Sequence, residues 1–482
     1  MVRLLKANWI AAACLLFVVV NAVLIANEVY WAALLPAVLI VGWALIASVD
    51  RLLLFIVFCT PLSINLEQLE MGGIGVALPT EPLMVAIMLL FLLKVALEKN
   101  VVDARVLRHP VTAVLAAQLI WAAVCIVPSE MPVVSVKFLL ARLWFVITMY
   151  FMASRLFERP GNMHRFLWSY VAGLAVVIVY TIINHAQYRF AQDPAHWVMT
   201  PFFKDHTSYG AIIAFFVPLM IAAVAMPGYS RTRKGIAWAL LLVLIAGLVL
   251  SYTRAAWVSL VAALGVFLVL RLRVPSWVVV GALLVGGGVY LANQEQITLA
   301  LERNRDESSD DLAKHVSSIS NISSDASNLE RLNRWHSALR MFKERPVFGW
   351  GPGTYMFQYA PFQASEDRTI ISTNFGSQGN AHSEYLGPLA EQGVPGMLLM
   401  LLLIGVTSTT AVRLYRRMPD GVDRRLMVAS FVGLVTYYVH GALNNFLDQD
   451  KAAVPFWGFT AMLVVLSVNH PPARAALSGS SR

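Results

Sequence analysis

The chain has 482 residues, of which 58% are apolar and only 13% charged, with a mean hydropathy of +0.66. Soluble domains carry roughly 25% charged residues, so an ordinary water-soluble, disordered or collagenous chain is excluded. The formal net charge of +9 sits on a chain too apolar for nucleic-acid binding to account for it. Cys14, Cys59 and Cys125 all lie in apolar runs without metal-ligand spacing and read as packing residues.

Apolar runs near the roughly 20 residues needed to cross a bilayer recur along most of the chain. In order they are 9–26, 29–47, 52–62, 82–98, 111–127, 136–154, 166–185, 207–226, 235–252, 255–271, 275–293, 394–412, 426–445 and 454–469. The run 52–62 is short and reads as a tilted or broken segment, so about twelve to fourteen crossings are expected. Arg3 and Lys6 precede the first run as in a secretion signal, but no small-residue cleavage site follows before Glu28, and a retained helix is expected. The pattern predicts an all-α polytopic membrane protein in three parts: a bundle over 1–293, a large outer loop over 294–393, and C-terminal helices with a short tail over 394–482.

Lys and Arg in short loops are retained on the cytoplasmic side. With the N-terminus inside, the cytoplasmic segments hold most of them, including Arg155, Arg231, Arg413 and Arg425. The short outer loops hold only Arg189, Lys204, Arg254 and Lys451. Both termini are therefore expected to be cytoplasmic, and the basic composition is mostly an orientation signal.

The outer loop opens with a Ser- and Asp-rich stretch over 302–327 that has little to bury. Ser327-x-x-Glu330 has the form of a capping box, and Leu329, Leu332, Trp335 or His336, Leu339 and Phe342 follow at helical spacing. Pro346 should stop that helix, and Phe348-Gly-Trp-Gly-Pro-Gly353 is turn chemistry. Arg331 and Arg334 are expected on a solvated face.

Ionisable groups within or beside spans usually line a cavity or pathway. Here they gather toward the outer side: Lys137 and Arg142, then Asn184, His185, Tyr188 and Arg189. Lys204, Asp205 and His206 follow, then Arg254, His382, Glu384, His440, Asn444 and Asn445. This predicts a net-basic chamber suited to a phosphate or diphosphate, which Arg binds through paired charge-assisted hydrogen bonds. Asp205 or Thr207 has the alternative of simply capping the following helix. Tyr437, Tyr438 and His440 are expected in an interfacial belt. Gly393 and Gly396 are expected to serve a turn and close backbone approach.

From His382 the chain reads His-Ser, nine residues, then Gly393-Val-Pro-Gly396. This resembles the signature of bacterial O-antigen ligases and O-antigen polymerases. Arg331, Trp335 and Pro346-x-Phe-Gly-x-Gly-x-Gly353 are similar to the start of that superfamily's outer-loop domain, and Asp205-His-Thr-Ser-Tyr-Gly210 and Ser251-Tyr-Thr-Arg254 also look like family features. The resemblance implies a fold like that of other integral-membrane glycosyltransferases. It also implies a metal-independent enzyme without cofactor, in a bacterial inner membrane with its active site facing the periplasm. Such enzymes move a glycan from a polyprenyl diphosphate to a hydroxyl acceptor: the lipid A–core in ligases, another lipid-linked repeat in polymerases, or a protein side chain.

On that resemblance His382 is the expected base and Arg254 the expected diphosphate ligand, with Arg189 or Lys204 as the second cation. Arg142, Asp205, His206 and Glu384 are the supporting candidates. No metal site is expected. Ligase is favoured over polymerase or protein O-oligosaccharyltransferase by the spacing after His382, and a transporter or flippase of lipid-linked glycans is the alternative of a different class.

Overall fold

The computed structural model describes residues 2–29, 31–66, 75–275, 326–368, 372 and 379–471, with scattered positions between 278 and 292. The expected run 275–293 and the Ser- and Asp-rich stretch up to 325 lie outside the described residues. The chain divides into two compact units, Met1–Leu53 and Leu54–Arg482. The first contains α1 (Val2–Ala26), α2 (Leu35–Ala47) and the start of α3 (Val49–Cys59). At 11 residues, α3 is about 16 Å long, too short to span alone, as the short run 52–62 suggested.

The second unit continues with a two-residue antiparallel pair, β1 (Ile64–Asn65) on β2 (Ala77–Leu78), Ile64 facing Leu78. Then come α4 (Thr80–Leu97), the turn α5 (Ala104–Leu107), α6 (Pro110–Ile126), α7 (Pro132–Phe157), α8 (Asn162–Ala186), α9 (His206–Val224), α10 (Arg231–Leu250) and α11 (Arg254–Arg271). The outer loop supplies α12 (Ala326–Glu344), and α13 (Leu386–Arg417), α14 (Val422–His440) and α15 (Asp450–Asn469) follow. Local chemistry sets many of these ends. Pro110 and Pro132 open helices where a missing N–H costs nothing. Asp205 caps α9 and Ser230 caps α10, each accepting a first-turn N–H.

Eight of these helices are long and apolar enough to cross a membrane among the described residues, so the molecule is an all-α polytopic membrane protein. They divide into two kinds by what covers them. α9 and α15 are 72% and 83% buried within the protein, whereas α11 is 22% buried and turns most of its apolar surface outward. α14 packs against α9, α11, α13 and α15, and its outer-side end is where the polar residues collect.

One expectation for the outer loop is corrected, the capping box over Ser327 and Glu330. α12 buries Glu330, Asn333, Arg334, Ser337, Ala338 and Met341, while Leu339 is 39% exposed. The helix starts at Ala326, ahead of Ser327, and the Glu330 carboxylate is taken up by Arg334 Nε at 2.6 Å, Asn333 Nδ2 at 3.3 Å and the Ser372 hydroxyl. α12 ends at Glu344, before Pro346, as the proline requires.

The glycine turn that follows docks into a break in α13. Gly393 has φ 68°, and a Cβ there would lie 2.1 Å from the Val347 carbonyl oxygen, so only glycine lets the two backbones meet. Trp350 and Gly351 N–H donate to the Ala390 and Glu391 carbonyls at 3.1 and 2.9 Å, and Val394 N–H donates to that of Pro346 at 2.9 Å. The Glu391 carboxylate accepts from Gly353 N–H at 2.9 Å and Tyr355 N–H at 3.0 Å. The residues between Pro346 and Tyr355 are thereby stapled to the helix that begins just after His382.

Candidate active site

His382 lies in the tight turn between the outer loop and α13, at φ 47°. Few residues other than glycine tolerate that region, and such strain clusters at functional sites. Its N–H donates to Asn380 Oδ1 at 3.0 Å, and its carbonyl accepts from Trp335 Nε1 of α12 at 3.3 Å. The Asn444 side chain lies close enough to the ring to bear on its protonation. Asn444 Nδ2 in turn lies 3.1 Å from Nε2 of His440, the last residue of α14. Beside His440 is the backbone of Ala255, the residue after Arg254.

Arg254 is carried to this point by the contact between α9 and the start of α11. Thr253 Oγ1 donates to the His206 carbonyl at 2.7 Å. A Cβ on Gly210 would lie 2.6 Å from Thr253 Cβ, so that glycine permits the approach. Asp205 accepts from Ser208 N–H at 2.8 Å and from the Thr207 hydroxyl. It therefore caps α9, as the capping alternative had it, and its charge also reaches both His382 and His440. Arg331 of α12 reaches the same two histidines.

Burial, then the charges of Arg331 and Arg334, push the His382 imidazole down to about 4, against the opposing pull of Asn444 and Asp205. The ring is therefore neutral near pH 7, the form able to take a proton.

Arg334 is not on a solvated face. It is 3% exposed, paired with Glu330 at 2.6 Å and stacked with Cζ 4.0 Å from the Tyr359 ring centroid. Tyr437 and His440 are likewise internal rather than part of an interfacial belt, each nearly inaccessible.

Glu384 is bound by α14 and the segment after it. Its Oε1 accepts from Tyr437 Oη at 2.6 Å and from the Phe446 and Leu447 N–H groups at 2.8 and 2.9 Å, while its own N–H donates to the Gly441 carbonyl at 2.7 Å. Burial raises its carboxyl above the usual range, although the Tyr437 bond and the Arg142 charge oppose this. The segment after α14 is thus wrapped onto the His382 turn. Arg142 has Cζ 5.3 Å from the Phe138 ring centroid and 6.0 Å from that of Trp457. Its charge acts on the buried Glu384 and Glu391 and on the exposed Asp448. Those acidic neighbours were not evident from facing spans, because they come from the His382 turn, the first turns of α13 and the segment before α15.

The two candidates for a second cation are both exposed. Arg189 has φ 54° on a turn whose Phe190 carbonyl accepts from Tyr252 Oη at 3.0 Å, two residues from Arg254. The charge of Lys204 acts on Asp448. His206 stacks near His196, with ring centroids 4.4 Å apart. Lys137 is exposed on α7.

A further polar network was not singled out from sequence. Asp450 Oδ2 accepts from Ser63 Oγ and from Thr80 Oγ1 at 2.6 Å, and Lys451 Nζ donates to Ser63 Oγ at 2.6 Å and Asp450 Oδ1 at 3.3 Å. Asp448-Gln449-Asp450 forms an Asp-x-Asp triplet, but its second carboxylate is saturated by these internal partners. Among the described residues no group of three His, Cys, Asp or Glu is placed to hold a metal ion.

A multi-pass helical membrane protein with a half-buried His382 near the buried His440 and the Arg254 helix end is the class these features define. Residues 239–401 match the O-antigen ligase family model, and over that segment the chain is similar to the family. The matched segment contains both Arg254 and His382. That match supports glycosyltransferase activity of the ligase or polymerase type. No curated protein matches the chain.

Proposed function

We propose that the protein transfers a glycan from a polyprenyl diphosphate donor to a hydroxyl acceptor at the periplasmic face of a bacterial inner membrane, with lipid A–core as the acceptor of a ligase. The observation that carries this reading is the meeting of His382, His440 and the Arg254 helix end around Asn444. In the reaction the acceptor oxygen bonds to the anomeric carbon as the bond from that carbon to the diphosphate oxygen breaks. The hydroxyl proton passes to the neutral His382 ring. Negative charge grows on the departing diphosphate, where a preorganised cation contributes most in a partly dry site. Arg254 serves that role, with Arg189 or Lys204 as the second cation at the exposed rim. Asp205 and His206 shape the helix end that presents Arg254, and Arg142 with Glu384 holds the His382 turn from behind. The outer loop over 294–393 would cover the site between the two helical parts.

The test uses the purified, reconstituted chain with a defined polyprenyl-diphosphate glycan and candidate acceptors. His382→Ala should abolish covalent transfer while donor binding is largely kept. Arg254→Ala should weaken donor binding about tenfold or more, as expected for a lost charge-assisted contact. Undiminished transfer by His382→Ala overturns the base assignment. Movement of the donor across vesicles without any covalent product would instead support a transporter.

A further inference from the structure

We infer that the turn Pro346-Val347-Phe348 of the outer loop is seated in the bilayer, where its exposed apolar side chains meet the acyl chains of the leaflet on the outer-loop side. The inference does not depend on the reaction proposed above. All three residues are exposed, Val347 by 52% and Phe348 by 42%, and none carries a polar side chain. Turns that face water draw mostly on Gly, Asn, Asp and Ser, whose small or polar side chains suit solvated backbone. Apolar residues standing singly on a surface need no explanation, but a contiguous exposed patch marks a contact.

The position of the turn says what covers it. Val394 N–H donates to the Pro346 carbonyl at 2.9 Å, so the turn lies against the first residue of α13 after its break. The apolar run from there, 394–412, has 19 residues and is about 28 Å long, close to the roughly 30 Å of a hydrocarbon core. Arg413 follows at its far end. With that run spanning the core, Val394 and the turn fall at the opposite edge. The Phe348 ring stacks on Trp121 of α6 with centroids 5.6 Å apart, and Trp121 Nε1 donates to the Gln392 carbonyl at 2.9 Å. The exposed apolar surface continues from the turn to Val394 and Leu398 on α13 and to Val124 and Val127 on α6. It is one surface with the part of the helices that faces lipid. The polar chain resumes just before the turn: Lys343 and Glu344 are exposed, and Arg345 pairs with Glu130 and lies with Cζ 4.2 Å from the Trp350 ring centroid. Tryptophans and long basic side chains are usual at that boundary. Backbone polar groups near hydrocarbon need partners; Pro346 brings no N–H, and its carbonyl is taken by Val394. Because the same segment is stapled to α13 ahead of the break, lipid contact at Val347 and Phe348 holds the start of α13 at the bilayer surface.

Two measurements on the reconstituted full chain test this. In the first, the unmodified protein in phosphatidylcholine vesicles that contain a lipid with a diazirine on its acyl chain is irradiated and digested. Adducts should map to the peptide carrying Val347 and Phe348 as well as to the one carrying Leu398. Adducts at Leu398 with none at Val347 or Phe348 overturn the inference. In the second, single cysteines at Val347, Leu398 and Glu366, in a chain whose Cys14, Cys59 and Cys125 are replaced, carry an environment-sensitive fluorophore. Val347→Cys should lose fluorescence to a vesicle lipid bearing a nitroxide on its acyl chain, as Leu398→Cys does. It should resist aqueous iodide, which quenches Glu366→Cys. Quenching of Val347→Cys by iodide and not by lipid overturns the inference. Protection from both quenchers also overturns it, because protein, a second copy included, then covers the turn. Transfer activity enters neither measurement, so wild-type turnover in His382→Ala would sink the glycosyl-transfer reading and leave this inference standing.

Discussion

At the scale of single residues, the physical problem is to keep one imidazole neutral among cations. His382 falls from 6.5 to about 4, chiefly through burial and then through Arg331 and Arg334. In the pH window between these values the unfolded chain binds more protons than the folded one. Lowering the pH through that window therefore costs stability, and above about 6.5 this group contributes no pH dependence. For catalysis the same sign holds: protonation removes the base, so kcat/KM should show its acid limb well below the ordinary histidine value. Arg331→Gln removes a positive neighbour, favours the imidazolium, and should shift that limb to higher pH. Binding of an anionic diphosphate acts in the same direction, so the limb in kcat should lie above the one in kcat/KM. Transfer rates measured from pH 4 to 8 check both, and identical limbs in wild type and Arg331→Gln would contradict the electrostatic account.

At the scale of elements, α12 and the break in α13 explain how the His382 turn is held. α12 presents a polar stripe inward because each of its buried groups has a partner: Glu330 with Arg334, Asn333 with Gln363 at 2.8 Å, and Ser337 with the Asn333 carbonyl at 2.8 Å. Buried polar groups are tolerated when satisfied in this way. The break in α13 depends on Gly393, where a Cβ would meet the Val347 carbonyl and where φ is positive. Gly393→Ala should cost about 2–4 kcal/mol, read as a lower Tm in detergent with faster proteolysis between Val347 and Phe362. Glu391→Ala should loosen the same segment, since it leaves the Gly353 and Tyr355 N–H groups without their acceptor, at about 1–3 kcal/mol for each buried group. A Gly393→Ala protein as stable as wild type would show that the break is not required.

At the scale of the whole molecule, α9 and α15 are mostly covered by other helices, whereas α11 turns most of its surface outward. α15 is almost wholly buried yet begins with Asp450 and Lys451, which Ser63 and Thr80 satisfy from other elements. The part of α13 after its break, 394–417 with 24 residues, is about 36 Å long and exceeds a hydrocarbon core of roughly 30 Å, so it is long enough to reach from one side to the other. From the distribution of Lys and Arg the outer loop is expected outside. A single cysteine at Glu366, in a chain whose Cys14, Cys59 and Cys125 are replaced, should react with an impermeant maleimide on intact spheroplasts. One at Asp420, 94% exposed at its side chain, should react only after permeabilisation. The opposite pattern would invert the topology and remove the site from the face proposed for it.

Much of this was readable from the chain alone. Hydropathy is summed over neighbouring residues, so the spans, the proline stops and the Asp205 cap follow from local sequence, and the turn around Gly393 follows from its glycines. The His382 signature is also local. What only the tertiary structure decided are pairings between polar groups far apart in the chain. Arg334 is expected on a solvated face, because local sequence cannot see that Glu330, Asn333 and Arg334 have partners waiting. Sequence puts His440 and Asn444 toward the same chamber as His382 but not against its turn. That turn, some sixty residues away, folds back onto their segment through Glu384 N–H to the Gly441 carbonyl and Asn380 Nδ2 to that of Asn445, and hydrogen bonds between such distant partners leave no periodic trace in either segment.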